Sequence, residues 1–486
     1  MQRIRGMFAG VGRYECIAFV TGFVLMAFEL IASRILAPSI GSSTYVWTSV
    51  IGVMIAALAL GYAFGGWLAD KRVAVQDVAF LLLLSAMTIG GTLVMYDSVL
   101  PLITNFIPDA RLQGIVAALS LFMPTSFLLG VISPYLARLR VKSVATAGRS
   151  VASLSALNSV GGIVGTFTSG FVLFSYVGSR ESMALLVAAL LVCSWLLVPR
   201  VRSGPRAVVT GVLIVAVTLE LIPTGHASAL HIDTASSHYR VLTSSYNDVP
   251  TKLLVTGPSG AQSGIYTNGS RELVFPYAKA MVKMVAEAPK KDRILMLGGG
   301  VYTVPEYLAR EYPQSQIDVV EIDPQLEQIA KQYFGYVPPA NVRSIADDAR
   351  AYVAHTTERY DVVLMDAFNE QATPFSLTTR EFAHELQSIL RPDGVVLVNM
   401  IASLNKDCAP LLQSLHASYR SAFGQSVLVA VNDPTFQRRQ NVLGVYAATP
   451  LDWARVTHAK SDIPQDRAMR LTDNFAPVEP MVQQCR

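Results

Sequence analysis

Long apolar runs separated by short polar stretches fill the first 223 residues, and the rhythm then changes to shorter, alternating segments. Apolar segments recur at 14–33, 46–68, 78–96, 114–137, 150–174, 181–199 and 207–223. Each is long enough to cross a hydrocarbon core of about 30 Å as a helix. The pattern predicts an α-helical multi-span membrane domain over 1–223 with about seven helices. The first segment is not a cleaved signal peptide: it ends in Glu29 and Arg34, lacks a small-residue cleavage site and runs at once into a second span.

Beyond residue 223, "HYRVLTSSY", "TKLLVTG" and "SGIYTNG" read as short strands separated by turns. With the connecting helix that follows, they predict a small β-rich subdomain over 224–290. From Arg293 onward strands and helices alternate: "RILMLGGG" a buried strand, "VPEYLAREY" a helix, "QIDVVEID" a strand, "PQLEQIAKQYF" a helix opened by proline, and "YDVVLMDAF" a strand. Such alternation predicts an α/β Rossmann-like domain over 291–486, a parallel sheet covered by helices. Ligands of such sheets bind just beyond the carboxyl ends of the strands.

Composition supports the division. Charged residues make up only 15% of the 486 residues, against roughly 25% in ordinary soluble chains. Mean hydropathy is +0.40. A disordered tail, a collagen-like fibre and a small disulfide scaffold are excluded. Residues 1–223 carry a net charge of +7 and residues 224–486 a net of −3. The basic balance therefore belongs to the apolar half and gives no reason to expect nucleic acid. Cys16, Cys193, Cys408 and Cys485 lack the spacing of a zinc site, and no metal is expected. Cys16 and Cys193 lie in apolar runs, as small hydrophobes do.

Basic residues alternate between loops. Arg3, Arg5, Arg13, Lys71, Arg72, Arg138, Arg140, Lys142, Arg149, Arg200, Arg202 and Arg206 fall on one side of the predicted spans, and only Arg34, Arg111 and Arg180 on the other. The positive-inside rule then puts the N-terminus in the cytoplasm and, with seven spans, the C-terminal half outside. Trp47, Trp67 and Trp195 lie near span ends, as interfacial aromatics do. Gly161, Gly165 and Ser169 recur every fourth residue, a spacing that lets helices approach closely. Glu29, Arg34 and Glu220 are ionisable groups at membrane depth, which either pair with a neighbour or line a path for substrate.

The candidate chemistry follows strands. Gly298, Gly299 and Gly300 end the first strand of the α/β domain, where a nucleoside can press against bare backbone; a tight structural turn wants glycines as well. Glu321 and Asp323 end the second strand, and Glu321 stands 23 residues after Gly298, the place of an acid that accepts hydrogen bonds from ribose hydroxyls. Asp347 and Asp348 follow the third strand. One can accept from an adenine amine while Ala349 leaves room for the ring, and a helix N-cap accounts for at least one of them. Of the pair, Asp348 is assigned to the ligand. Asp366 ends the fourth strand, where a carboxylate can take a proton from an attacking amine or serve as a cap or turn residue. The polar, proline-containing stretch from Asn369 to Ser376 reads as a lid-like loop.

At these residues the chain resembles the spermidine synthase family, the polyamine aminopropyltransferases, and specifically the bacterial variety with a multi-span membrane domain fused in front. The enzyme-like part covers roughly 237–445; "AFELIASRILAPSIGSSTYVWTSVIGVMIAALALGYAFGGWLAD" resembles the fused membrane part. The resemblance implies transfer of an aminopropyl group from decarboxylated S-adenosylmethionine to putrescine or a related amine. It implies no tightly bound cofactor. It makes Gly298 to Gly300 the family's glycine run, Glu321 its ribose acid, Asp348 its adenine acid and Asp366 the aspartate that helps deprotonate the amine. Tyr277 and Gln262 would line the amine pocket.

Four positions depart from the family pattern. Val301 stands where an aspartate would bind the donor's ammonium, Asn369 replaces a second aspartate, and Ala278 and Lys279 follow the pocket tyrosine in place of Gln or His and then Glu. Two other readings therefore stay open: transfer of another group from ordinary S-adenosylmethionine, or a membrane transporter or sensor whose C-terminal domain binds a nucleoside or polyamine without turnover. The expected partners are a small amine, an adenosyl donor and the lipid bilayer of a bacterial inner membrane. Soluble members are commonly dimers or tetramers, which leaves a homo-oligomer open.

Overall fold

The computed structural model describes residues 12–41, 43–141, 143–198, 203–221, 229–234, 236–257, 260–368, 373–449, 459–460 and 463–485. The chain divides into two compact units. One comprises the apolar helices together with Asp233–His238, and the other the two sheets.

In the helical unit, α1 (Arg13–Ile40), α2 (Thr44–Lys71) and α3 (Val75–Phe106) are followed by α4, built from Ala110–Ala117, a π-helical turn Ala118–Phe122 and Met123–Arg140. Then come α5 (Val144–Thr168, continuing as π-helix Ser169–Val177), α6 (Ser179–Leu197) and α7 (Ser203–Leu221). Among the described residues, six helices, α1 to α6, are long and apolar enough to cross a membrane, by length and composition. The seventh expected segment is helical up to Leu221, and residues 222–223 lie outside the described residues.

The small-residue stripe packs one helix on another within the chain. A methyl group added to Gly161 or Gly165 would overlap the carbonyl oxygens of Phe19 or Phe23, and one on Gly22 that of Asn158. The contacts advance together along α1 and α5, so these helices run parallel. The same holds for α2 and α4, where Gly61 and Gly65 meet Phe127 and Val131. Parallel alternate crossings are what a chain weaving back and forth produces.

Several ionisable residues of this unit are paired near helix ends. Glu15 meets Arg140 at 2.6 Å, and Asp77 meets Arg72 at 3.3 Å while accepting from the Tyr135 hydroxyl at 2.9 Å. Arg180 donates to the Tyr96 hydroxyl at 2.7 Å and to Asp97, and lies 3.7 Å from Glu220. Arg34 stacks over Phe174 and donates to the carbonyl of Thr234. Glu220 and Arg34 are thus held by partners.

The second unit opens with a four-stranded sheet in the order β1 (Ala229–Asp233), β2 (His238–Tyr246), β3 (Val249–Thr256), β4 (Ala261–Tyr266), followed by α8 (Pro276–Glu287). Next come β5 (Arg293–Leu297), α9 (Thr303–Glu311), β6 (Gln316–Glu321), α10 (Leu326–Phe334), β7 (Val342–Ala346), α11 (Ala349–His355) and β8 (Tyr360–Met365). Pro324 sits in the turn before α10 rather than inside it. The chain continues through α12 (Arg380–Ser388), β9 (Leu390–Ala402), α13 (Ala409–Arg420), β10 (Gln425–Ala430), β11 (Gln440–Ala447), β12 (Ala459–Lys460) and α14 (Val478–Gln484).

These strands form an eight-stranded sheet in the order β12-β10-β11-β9-β8-β5-β6-β7. β9, β8, β5, β6 and β7 run parallel, and β11 and β10 return antiparallel. β5, β8 and β9 are apolar nearly throughout because both faces are covered, as a parallel sheet requires. The chain steps from β5 outward through β6 and β7, then returns to the other side of β5 with β8. That reversal opens a crevice between the carboxyl ends of β5 and β8.

Candidate active site

The glycine run lies at this crevice. Gly298 has φ +96°, and a side-chain carbon there would overlap the backbone carbonyl of Asp366 at the end of β8. Only glycine permits both the left-handed conformation and the close approach of the two strand ends. The Gly299 N–H donates to Glu321 Oε2 at 2.8 Å, and the Val301 N–H to Ser263 Oγ at 3.3 Å. The loop rests on the ring of Tyr302, itself at φ +62°, whose hydroxyl pairs with Ser344 at 2.7 Å and whose ring stacks on Tyr336.

Glu321 accepts from Gly299 and, through Oε1, from the Asp323 N–H at 3.1 Å. Burial pushes its carboxyl above the usual range, and these backbone donors counter only part of that. The half-buried carboxylate keeps acceptor capacity for a diol. Asp323, expected beside it at the ribose, is placed differently: it is 1% exposed, with Oδ2 accepting from the Tyr239 hydroxyl at 2.9 Å and Oδ1 from the Gln325 N–H at 3.0 Å. Its position ties β2 to the start of α10, because a buried carboxylate needs such donors.

Asp348 caps α11, accepting from the N–H groups of Arg350 and Ala351 through Oδ1 at 2.9 and 3.0 Å. The cap thus falls on the residue assigned to the ligand and occupies one oxygen, while the side chain stays exposed. Ala349 behind it is buried. Asp347 is exposed and accepts from the Asp348 N–H.

Asp366 follows β8. Asn399, on β9, donates from Nδ2 to Asp366 Oδ1 at 2.8 Å. Asn441, on β11, donates to the Asn399 oxygen at 3.0 Å, which sets the orientation of that amide. On the other side stands Tyr277, at the start of α8; its hydroxyl donates to the Gln262 carbonyl at 3.0 Å and also faces the Asp366 carboxylate. Burial pushes the Asp366 carboxyl up to about 7, against the opposing hydrogen bonds of Asn399 and Tyr277. Burial and the nearby Asp366 charge push the Tyr277 hydroxyl well above its ordinary value, so it stays a donor. A carboxylate that titrates near neutrality beside a permanent donor suits proton acceptance.

The structure brings Gly298 to Gly300, Glu321, Tyr277, the Gln262 backbone and Asp366 together around the β5 and β8 ends. Asn369 lies outside the described residues. Val301 is 1% exposed and packs in the core with Ala278, while Lys279 is exposed. Sequence reasoning missed Asn399 and Asn441; the available signal was an amide inside the apolar run of β9 and another at the start of β11. It also missed Arg350, which donates to the Ser376 carbonyl at 2.8 Å, to Thr379, and to Glu385 and Asp473, bracing the segment after the lid-like loop.

Residues 274–449 match the spermine/spermidine synthase domain. The C-terminal half carries that domain. A polyamine aminopropyltransferase of Vibrio vulnificus is 38% identical over 158 residues, 32% of this chain and 51% of that protein. A probable polyamine aminopropyl transferase of Bifidobacterium longum is 29% identical over 181 residues, 37% of this chain and 40% of that protein. The chain thus spans about half the length, or less, of these curated relatives. A crystal structure of a probable spermidine synthase from Corynebacterium glutamicum aligns at 27% identity over 47% of this chain and 84% of its own, with a TM-score of 0.41.

Proposed function

We propose that the chain is a membrane-bound aminopropyltransferase of the spermidine synthase kind, taking its group from decarboxylated S-adenosylmethionine and passing it to putrescine or a related amine. The observation that carries this reading is the Asp366 carboxylate, on a residue whose backbone carbonyl closes on Gly298 at the β5–β8 crevice, raised to about 7 and flanked by Tyr277. The matched domain and the names of its relatives supply the substrate class.

In this mechanism the adenosine lies along the glycine run, with its ribose hydroxyls on Glu321 and its base near Asp348. The neutral amine attacks the carbon next to the sulfonium; the C–N bond forms as the C–S bond breaks, and a neutral thioether leaves without needing an acid. The proton released by the new ammonium passes to Asp366. Orientation of the amine in line with the C–S bond supplies most of the acceleration. Tyr277 and Asn399 hold the carboxylate toward the amine.

Membrane attachment rests on the length and apolarity of α1 to α6 and on the apolar outer surface of the helical unit, where Ile55, Phe80, Phe171 and Leu196 are more than half exposed. A polar solvent disfavours such a surface and a bilayer accepts it. A second reading, transfer of another group from ordinary S-adenosylmethionine, is favoured by Val301, which leaves the donor's ammonium without its acid.

Calorimetric titration of the detergent-solubilised full chain with decarboxylated S-adenosylmethionine, S-adenosylmethionine and methylthioadenosine, followed by a product assay with putrescine, decides between them. Preference for the decarboxylated donor with spermidine formed supports the first reading. Preference for the intact donor, with no aminopropyl product, overturns it in favour of the second.

A further inference from the structure

Three features outside the proposed chemistry converge. Cys408, at the start of α13, and Cys485, just after α14, are joined as a disulfide across 77 residues, and both are buried. Disulfides persist in oxidising compartments and are rare in the cytosol. The basic residues flanking the helices fall twelve to one side and three to the other. Those three, Arg34, Arg111 and Arg180, each lie over an aromatic ring.

The third feature is the segment Asp233–His238, which belongs to the helical unit. Thr234 accepts from Arg34, beyond the middle of α1, and Asp233 accepts from the Ser179 N–H, at the start of α6, at 2.6 Å. This segment, between β1 and β2 in the chain, is therefore held at the end of the bundle that is poor in basic residues.

We infer that the C-terminal unit lies on the extracytoplasmic, oxidising face of the membrane, where Cys408 and Cys485 are joined by thiol–disulfide exchange. This rests on the membrane reading above. The bond forms when one cysteine thiolate attacks the disulfide of an oxidised dithiol protein, giving a mixed disulfide and expelling one partner thiolate. The second cysteine thiolate then attacks the first cysteine's sulfur and expels the other. This chain loses two protons and two electrons, and the partner leaves as a dithiol.

The bond fastens α14, whose Val478, Met481 and Val482 are buried, to the helix covering the sheet. The same terminal segment carries Asp473, which holds Arg350 and through it Ser376 beside the lid-like loop. The placement also separates the site from donor made in the cytoplasm. Turnover in intact cells then requires delivery of donor across the bilayer, whereas the purified full chain needs none.

The test uses the full chain in cells whose free thiols are blocked with N-ethylmaleimide before lysis. Carbonate-washed membranes are denatured and treated with PEG-maleimide with and without prior reduction, and intact spheroplasts are exposed to protease. The expected result is a membrane-retained chain that gains two adducts only after reduction, and a C-terminal unit cut by external protease. The double substitution C408S/C485S removes both adducts, which assigns them. A membrane-retained chain with no adducts after reduction, its C-terminal unit protected until the spheroplasts are lysed, overturns this inference alone. Recovery of the chain in the carbonate supernatant overturns the membrane reading and this inference with it.

Discussion

The proposed nucleoside side and the proposed amine side of the crevice are built differently. On the nucleoside side, backbone does much of the work: Gly298 closes on the Asp366 carbonyl, and Glu321 is fixed by two backbone N–H groups. On the amine side the arrangement depends on side chains, with Asp366 held between Tyr277 and the Asn399–Asn441 pair and with Val301 and Ala278 buried in the core. Backbone geometry tolerates sequence change better than a constellation of charges does. A site can therefore keep its nucleoside contacts while the charges that select a cationic amine are lost.

The sharpest way to separate the two sides is Asp366→Asn. Turnover should fall by roughly 10²–10⁴-fold, while methylthioadenosine binding by calorimetry stays unchanged. Equal loss of binding would mean that the two sides are one unit. Gly298→Ala should act on binding itself. It forces a side chain into φ +96° and against Asp366, so a stability loss of about 1–3 kcal/mol in thermal unfolding and loss of nucleoside binding are expected. Retained binding would remove the backbone account of the nucleoside side.

Glu321→Gln is the milder probe. Hydrogen bonds to a charged acceptor contribute roughly 1.5–3 kcal/mol, so methylthioadenosine affinity should weaken about tenfold or more while the pH profile keeps its shape. The smallest effect is expected from Asn399→Leu. Asp366 accepts a proton only when ionised, so kcat/KM should rise with pH and level off above about 7. Asn399 lowers that value, so its removal should move the acid limb to higher pH by up to about one unit, with nucleoside affinity unchanged. Phenylalanine at Tyr277 should shift it the same way.

The same carboxyl links pH to stability. Its folded-state value lies above the unfolded carboxylate range, so the folded chain holds the proton more tightly. Its contribution to stability is complete at low pH and is lost as pH rises through about 7.

Much was legible in the sequence because it rests on local pattern. Apolar length marked the helices, the glycine run after a buried strand marked the switch point, and the acid 23 residues later marked the end of the neighbouring strand, where Glu321 meets the Gly299 N–H. Asp323 shows where pattern ends. It shares the "EID" motif with Glu321, yet it lies past the end of β6, where the turn and the packing of Tyr239 bury it while Glu321 stays half-accessible. Asp348, the residue assigned to the ligand, proves to be the helix cap, and the cap occupies one of its two oxygens.

By itself the sequence determined the half built of long apolar helices, the α/β half, and which residues end the strands of the crevice, because hydrophobic periodicity and strand-end position are properties of neighbours along the chain. Only the tertiary structure decided that Asn399 and Asn441 stand behind Asp366, that Arg350 braces the loop beyond it, and that Cys408 meets Cys485. Those partners lie tens of residues apart, and their meeting depends on sheet order and helix packing, which no local spacing encodes.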